Sequence, residues 1–127
     1  MQNTETCDLL GLAADDLPII RLHGQEFAVD LQGIDIIQSS STLYRQVFEH
    51  RLRRIRRPLL CRVVARLSPS KIRAQLFYFA WQDKSGDVWL DVAQILLEEG
   101  LAKVAAYEFP ERNEYLQWER GDHPVEN

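Results

Sequence analysis

The chain has 127 residues, 46% of them hydrophobic, and a formal net charge of −4 at pH 7. This length and this hydrophobic content fit one domain with one core. The sequence has no run of about eighteen apolar residues, which a membrane-spanning helix requires. Its first residues lack the basic start and the apolar core of a secretory signal. We therefore expect an intracellular, cytoplasmic protein without a membrane partner.

The charge is unevenly spread along the sequence. Residues 43–73 hold ten cations against the single acid Glu49, a local charge of +9, so the remainder of the chain carries −13. Such a basic segment fits an anionic partner, and it equally fits neutralisation of the protein's own acidic residues. Its cations, which we call the basic segment, are Arg45, Arg51, Arg53, Arg54, Arg56, Arg57, Arg62, Arg66, Lys71 and Arg73.

The predicted elements begin with a flexible leader over residues 1–13. Residues 17–22 and 26–34 flank a His-Gly turn, and their alternation of apolar and polar side chains predicts an antiparallel pair of strands. Gly33 inside the second strand indicates a bend or a bulge.

A helix is predicted next, starting at the Ser-Thr cluster of residues 39–42 and stopped by Pro58. Its inner face has helical spacing and consists of Tyr44, Phe48, Leu52 and Ile55. The run RLRRIRR at 51–57 has two interpretations. It is either the solvated face of this helix or part of a groove for a nucleic-acid backbone.

The second half of the chain predicts strands over 59–65 and 73–81, then two helices. The first of these helices opens at Asp91 and ends at Gly100, and the second runs from Pro110 to Gly121. Cys61 lies in the apolar run LLCRVV, which predicts a buried, reduced thiol. Residues 122–127 are predicted to be a tail.

This order of elements predicts the fold class. Short antiparallel strands interrupted by one helix are typical of small Greek-key barrels, and a five-stranded OB-type barrel fits the length. We predict a mainly β fold with α-helices (α+β), about three helices in number, with the domain spanning residues 14–121.

Three stretches resemble the staphylococcal nuclease-like domain, over roughly residues 14–120. VDLQGIDI at 29–36 is similar to the strand of that family that ends in an aspartate. Gly24-Gln25 and the upstream Asp16 lie at the family's spacing. The most specific stretch is LLEEGLAKV at 96–104, which is followed by Tyr107 and a charged helix. The resemblance implies an OB-type barrel, and this fold also occurs as half of extended Tudor domains.

The resemblance also implies positions for an active site. In active members two aspartates and a carbonyl hold calcium, a glutamate activates water, and two arginines neutralise phosphate. Asp16 and Asp35 fall at the aspartate positions, and Ile36 stands where the carbonyl-donating threonine belongs. Gln38 replaces the glutamate with a neutral amide, which cannot serve as a general base.

The arginine positions are altered as well. Asp30 replaces the first arginine with an anion that repels phosphate, and Arg73 aligns with the second. A positioned general base contributes about a hundred- to ten-thousand-fold, and a phosphate clamp contributes at least a comparable factor. We therefore expect a catalytically inactive, nuclease-like module without a metal or other cofactor, in which Asp16 and Asp35 are remnants.

We expect this module to bind another protein, or RNA or single-stranded DNA, through the basic segment. Two alternatives stay open. One is a calcium-dependent phosphodiesterase with an altered site that uses Asp16, Asp35 and Arg73. The other is the nuclease-like half of a Tudor-type reader. The sequence predicts neither the oligomeric state nor the partner's identity.

Overall fold

The computed structural model describes residues 3–121, so the predicted tail at 122–127 lies outside the described residues. The strands are β1 (Glu5–Leu12), β2 (Pro18–Leu22), β3 (Gln25–Leu31), β4 (Ile34–Ile36), β5 (Leu59–Ser68), β6 (Lys71–Asp83), β7 (Gly86–Asp91) and β8 (Ala102–Val104). The helices are α1 (Ser41–Gln46), α2 (Val92–Glu98) and α3 (Arg112–Arg120). A 3-10 turn (Gln38–Ser40) precedes α1, and a π-helical turn (Val47–Arg51) continues it.

Six of the strands form one sheet in the order β3-β2-β1-β5-β6-β7. Neighbouring strands in this order are antiparallel. A further, parallel pairing of β3 with β6 bends the sheet partly into a ring. The predicted mainly β class with helices is confirmed. Within residues 3–121, no helix is long and apolar enough to cross a membrane.

The flexible leader predicted for residues 1–13 is wrong for Glu5–Leu12, because these residues form strand β1. This strand pairs with β2 on one side and with the start of β5 on the other. Its side chains are half polar, so the sequence pattern is weak, but both of its neighbours supply backbone hydrogen bonds. Cys7 of β1 and Cys61 of β5 are both buried and free, as predicted for Cys61.

The helix predicted to run to Pro58 ends earlier. Tyr44, Phe48 and Leu52 are buried as expected, but regular helical backbone stops at Arg51. The Leu52 N–H donates to the carbonyl of Val47 at 2.9 Å, an i→i+5 bond that widens the last turn. Beyond it only Ile55 packs on the core. The arginine-rich residues after Leu52 therefore make too few apolar contacts to stabilise a further helical turn.

Strands β4 and β8 form a second, two-stranded sheet beside the first one. Gly33 makes the bend between β3 and β4 with a φ of +83°. Its N–H donates to the Tyr107 hydroxyl at 2.7 Å, and its carbonyl accepts from Ala105 at 2.8 Å. The bend predicted at Gly33 is thus confirmed, and the segment after β8 holds it in place.

Gly33→Ala should lower the free energy of unfolding by about 3 kcal/mol. A left-handed φ costs a side chain about 1 kcal/mol, and a Cβ at this position would overlap the Phe109 ring, an overpacking worth about 1–3 kcal/mol. Denaturant unfolding of the two proteins measures the difference.

Gly24→Ala is the matched control. Gly24 also has a left-handed φ, +76°, but nothing lies within 4 Å of the added Cβ. The control should lose only about 1 kcal/mol. Equal losses in the two variants would show that Phe109 does not pack against Gly33.

Candidate functional site

Four of the positions that the sequence assigned to a degenerate site meet in one pocket. Asp30, Asp35, Ile36 and Gln38 line a cavity of about 260 Å3, which we call the β3–β4 pocket. The bend at Gly33 produces this arrangement, because it turns β4 back beside the end of β3. The remaining lining residues are Leu17, Val29, Leu31, Ile34 and Tyr44.

Asp16 is held by an arginine of the basic segment. It lies in the turn before β2, where Arg45 of α1 places Nη1 at 2.5 Å from its Oδ1. The other terminal nitrogen of Arg45 is 2.9 Å from Glu49. A metal ion at Asp16 would therefore compete with a guanidinium that is already in contact with the carboxylate.

Arg73 forms an ion pair with Asp30, the residue that stands at the position of the first arginine in the resemblance. Asp30 and Arg73 are register neighbours in the parallel pairing of β3 with β6, and Nε of Arg73 lies 3.0 Å from Oδ2 of Asp30. The guanidinium also lies over the Tyr107 ring, 5.1 Å from its centroid. The pocket lining contains the carboxylates of Asp30 and Asp35 and no cationic residue.

Asp35 and Gln38 face solvent at the mouth of the pocket. Within residues 3–121 the Asp35 carboxylate makes no hydrogen bond or ion pair, and Lys103 of β8 is its register partner across the strand pair. Gln38 lies in the 3-10 turn, where its amide can orient water but cannot take a proton. Among the described residues, no group of three or more His, Cys, Asp or Glu side chains is placed to hold a metal ion.

Tyr44, which the sequence assigned to the inner face of a helix, also adds a hydroxyl group to the lining of the β3–β4 pocket. It is fully buried, and its hydroxyl has no hydrogen-bond partner among residues 3–121. Burial raises the pKa of Tyr44, and the carboxylates of Asp16 and Asp15 raise it further. The hydroxyl therefore stays protonated at neutral pH.

Half of the basic segment is paired with carboxylates of the same chain. Five of its ten cations form ion pairs with carboxylates: Arg45 with Asp16 and Glu49, Arg51 with Glu99, Arg57 with Asp87, Arg62 with Glu111, and Arg73 with Asp30. Arg53 and Arg66 donate to the backbone carbonyls of Leu10 and Pro69. Within residues 3–121, the side chains that make no such contact are Arg54, Arg56 and Lys71.

The cations of the basic segment do not line one common cavity. Arg53, Arg56 and Arg57 line one cavity of about 320 Å3 beside β1. Arg62 lines two other cavities, and Arg73 lies beside Asp30. The contiguous stretch of the sequence therefore does not form a single contiguous cavity in the fold.

A buried polar cluster lies outside the residues that the sequence singled out. The Tyr115 hydroxyl donates to Oδ2 of Asp91 at 2.5 Å, and Nε2 of Gln75 donates to the Tyr115 hydroxyl at 3.1 Å. Oδ1 of Asp91 caps α2 by accepting from the Ala93 N–H at 2.9 Å. Of this cluster, the sequence predicted only that a helix opens at Asp91. The overlooked signal was Gln75, an amide side chain between the apolar residues Ala74 and Leu76 of the predicted strand.

Comparison with models of protein families gives no match to this chain, and comparison with curated proteins gives none either.

Asp91 should make stability depend on pH in a defined direction. Burial raises the pKa of its carboxyl to about 6, against the opposing hydrogen bonds from Tyr115 and Ala93. Protonated Asp91 therefore favours the folded state, and this contribution is lost as pH rises from about 4 through about 6. In Asp91→Asn the site cannot titrate. The stability of this variant relative to wild type should thus rise by roughly 2–3 kcal/mol between pH 4 and pH 7.

Denaturant unfolding across this pH range measures the difference. Glu108→Gln removes an exposed carboxylate and serves as the control for the loss of one negative charge. A stability difference between Asp91→Asn and wild type that stays constant with pH would contradict the burial of an ionisable carboxyl at this position.

Proposed function

We propose that this chain is an OB-type barrel of the staphylococcal nuclease-like kind. Support comes from the strand pairing, in which β1, β2, β3, β6 and β5 are each hydrogen-bonded to the next and β5 returns to β1. A helix lies between β3 and β5, and the β3–β6 contact is the one parallel pairing among them. Five strands in this partly closed Greek-key order are characteristic of OB-type barrels.

We further propose that the module is catalytically inactive and acts by binding. The observation that carries this proposal is the Asp30–Arg73 ion pair at the pocket. Phosphoryl transfer needs cations directed at the developing negative charge. A guanidinium that is already paired with a carboxylate stabilises this charge only weakly. Gln38 supplies no general base, because its amide cannot take up the proton of an attacking water.

The proposed partner is a protein in preference to a nucleic acid. Five of the ten cations in the basic segment are paired with the protein's own carboxylates, so they add little to the counterion release on which nucleic-acid affinity depends. Strand β5 also exposes Val63, Val64 and Leu67 to 42–47%. Exposed apolar side chains beside partly paired charges are common at protein interfaces.

Incubation of heat-denatured DNA with the protein and calcium should leave the DNA intact. The loss of both a general base and a phosphate clamp removes about four or more powers of ten in rate. Release of acid-soluble fragments measures hydrolysis. Fragments that disappear in Asp35→Ala, together with a calcium-dependent rise in the denaturation temperature that also needs Asp35, would establish the calcium-dependent phosphodiesterase instead.

A salt titration tests the preference for protein. If only the five cations without a carboxylate partner, Arg53, Arg54, Arg56, Arg66 and Lys71, are available to phosphates, a single-stranded oligonucleotide should bind weakly, with a slope of log affinity against log salt of about −3.5. A groove that uses all ten cations would give a slope of about −7. Fluorescence anisotropy of a labelled oligonucleotide at several salt concentrations measures this slope.

The double variant Arg54→Glu/Arg56→Glu should abolish the weak binding. Lys84→Glu in the β6–β7 turn is the control, because it reverses one exposed charge outside the basic segment. A slope near −7, lost only gradually as single arginines are reversed, would make nucleic acid the partner.

A further inference from the structure

A second pocket lies at the buried polar cluster, away from the β3–β4 pocket. It has a volume of about 280 Å3 and shares no lining residue with the β3–β4 pocket. Strands β6 and β7, the start of α2 and helix α3 enclose it, and we call it the β6–α3 pocket. Its polar lining residues are Arg62, Gln75, Asp91, Gln94, Glu111 and Glu114.

Gln75 leaves a hydrogen-bond acceptor unused in this pocket. The residue is only 3% exposed, and its Nε2 is engaged by the Tyr115 hydroxyl and, at 3.4 Å, by Asp91. Its Oε1 is buried without a partner among the described residues. An unpaired buried acceptor is unfavourable, so a hydrogen-bond donor brought against this wall of the pocket would be stabilised.

The charge of the lining favours a cationic donor. Arg62 is balanced by Glu111, with Nη2 at 2.5 Å from Oε1, which leaves the carboxylates of Asp91 and Glu114. The pKa of Asp91, raised by burial to about 6, still leaves this group mostly ionised at neutral pH. No cation contacts the Asp91 carboxylate among the described residues, so a bound cation would stabilise a charge that burial disfavours.

Aromatic rings complete the lining and favour a planar cation. Phe77, Trp89, Tyr115 and Trp118 line the same pocket. Tyr115 and Trp118 stack on each other with centroids 5.1 Å apart. A guanidinium stacks on aromatic faces and carries five donors in one plane, whereas an ammonium is a compact and strongly hydrated charge.

We propose that the β6–α3 pocket receives the guanidinium of an arginine side chain from a protein partner. Its donors would reach Oε1 of Gln75 and the carboxylates of Asp91 and Glu114, and its plane would lie against Trp89 or Trp118. The assignment rests on the proposed binding function and names the chemical group that the partner presents. It does not involve the residues that decide whether the protein hydrolyses DNA.

NMR titration of the whole chain with N-acetyl-arginine-methylamide tests the proposal. The indole N–H signals of Trp89 and Trp118 should shift with a dissociation constant in the millimolar range, about that expected for one side chain. The signal of Trp81, which is 51% exposed and lines none of these pockets, should stay in place and serves as an internal reference.

Citrulline is the matched ligand control, because it has nearly the same shape as arginine without the charge. N-acetyl-citrulline-methylamide should bind at least about tenfold more weakly, since charged hydrogen bonds and cation–π contact are both lost. The lysine analogue should also bind more weakly than arginine. Equal shifts with arginine and citrulline, or no shift of Trp89 and Trp118, would overturn the proposal.

Glu114→Gln tests the charge on the protein side. Glu114 is exposed, so this variant should fold normally and weaken arginine binding by about two- to fivefold. Glu108→Gln is the control and should bind arginine like wild type. Arginine binding that is unchanged in Glu114→Gln would contradict this pocket as the site. A positive hydrolysis assay would refute the inactive module and leave the arginine result standing.

Discussion

The ion pair between Asp30 and Arg73 joins the closure of the sheet to the chemistry of the pocket. The two residues are register neighbours in the β3–β6 pairing that bends the sheet partly into a ring. The same contact holds the guanidinium of Arg73 against a carboxylate at 3.0 Å. Because parallel pairing fixes which residues face each other, the strands that partly close the sheet also decide the charge of the pocket.

The segment after β8 supports this arrangement from outside the sheet. The Tyr107 hydroxyl accepts from the Gly33 N–H, and the Tyr107 ring lies beneath the guanidinium of Arg73. Phe109 fills the space over Gly33 that a side chain would otherwise occupy. One short segment therefore fixes both the bend that forms the β3–β4 pocket and the arginine beside it.

The charged residues of this fold are stabilised in two ways. Near the surface, cations of the basic segment are held by acidic residues from distant parts of the chain, as Arg51 is by Glu99 and Arg57 is by Asp87. In the interior, the Asp91 carboxylate is stabilised by hydrogen bonds from Tyr115 and Ala93, without a cation. The first way leaves half of the basic segment paired with carboxylates, and the second leaves carboxylates and aromatic rings together in the lining of the β6–α3 pocket.

The sequence by itself determined the local features of this protein. The helical spacing of Tyr44 and Phe48, the cap at Asp91, the end of α2 just before Gly100 and the bend at Gly33 each depend on residues close together in the chain, and each is confirmed. Asp30, Asp35 and Gln38 also meet at one site for a local reason, because all three lie in one nine-residue stretch that contains the bend at Gly33.

Only the tertiary structure decided which polar side chains meet. Asp16 with Arg45, Arg62 with Glu111, and Gln75 with Tyr115 are separated by 29, 49 and 40 positions. No local pattern encodes such pairs, because they form only when strands and helices pack. Strand β1 was missed for the same reason, since its polar sequence becomes a strand through the hydrogen bonds of β2 and β5. The number of charged side chains can therefore be counted from the sequence, but the fold determines how many of them remain available to a partner.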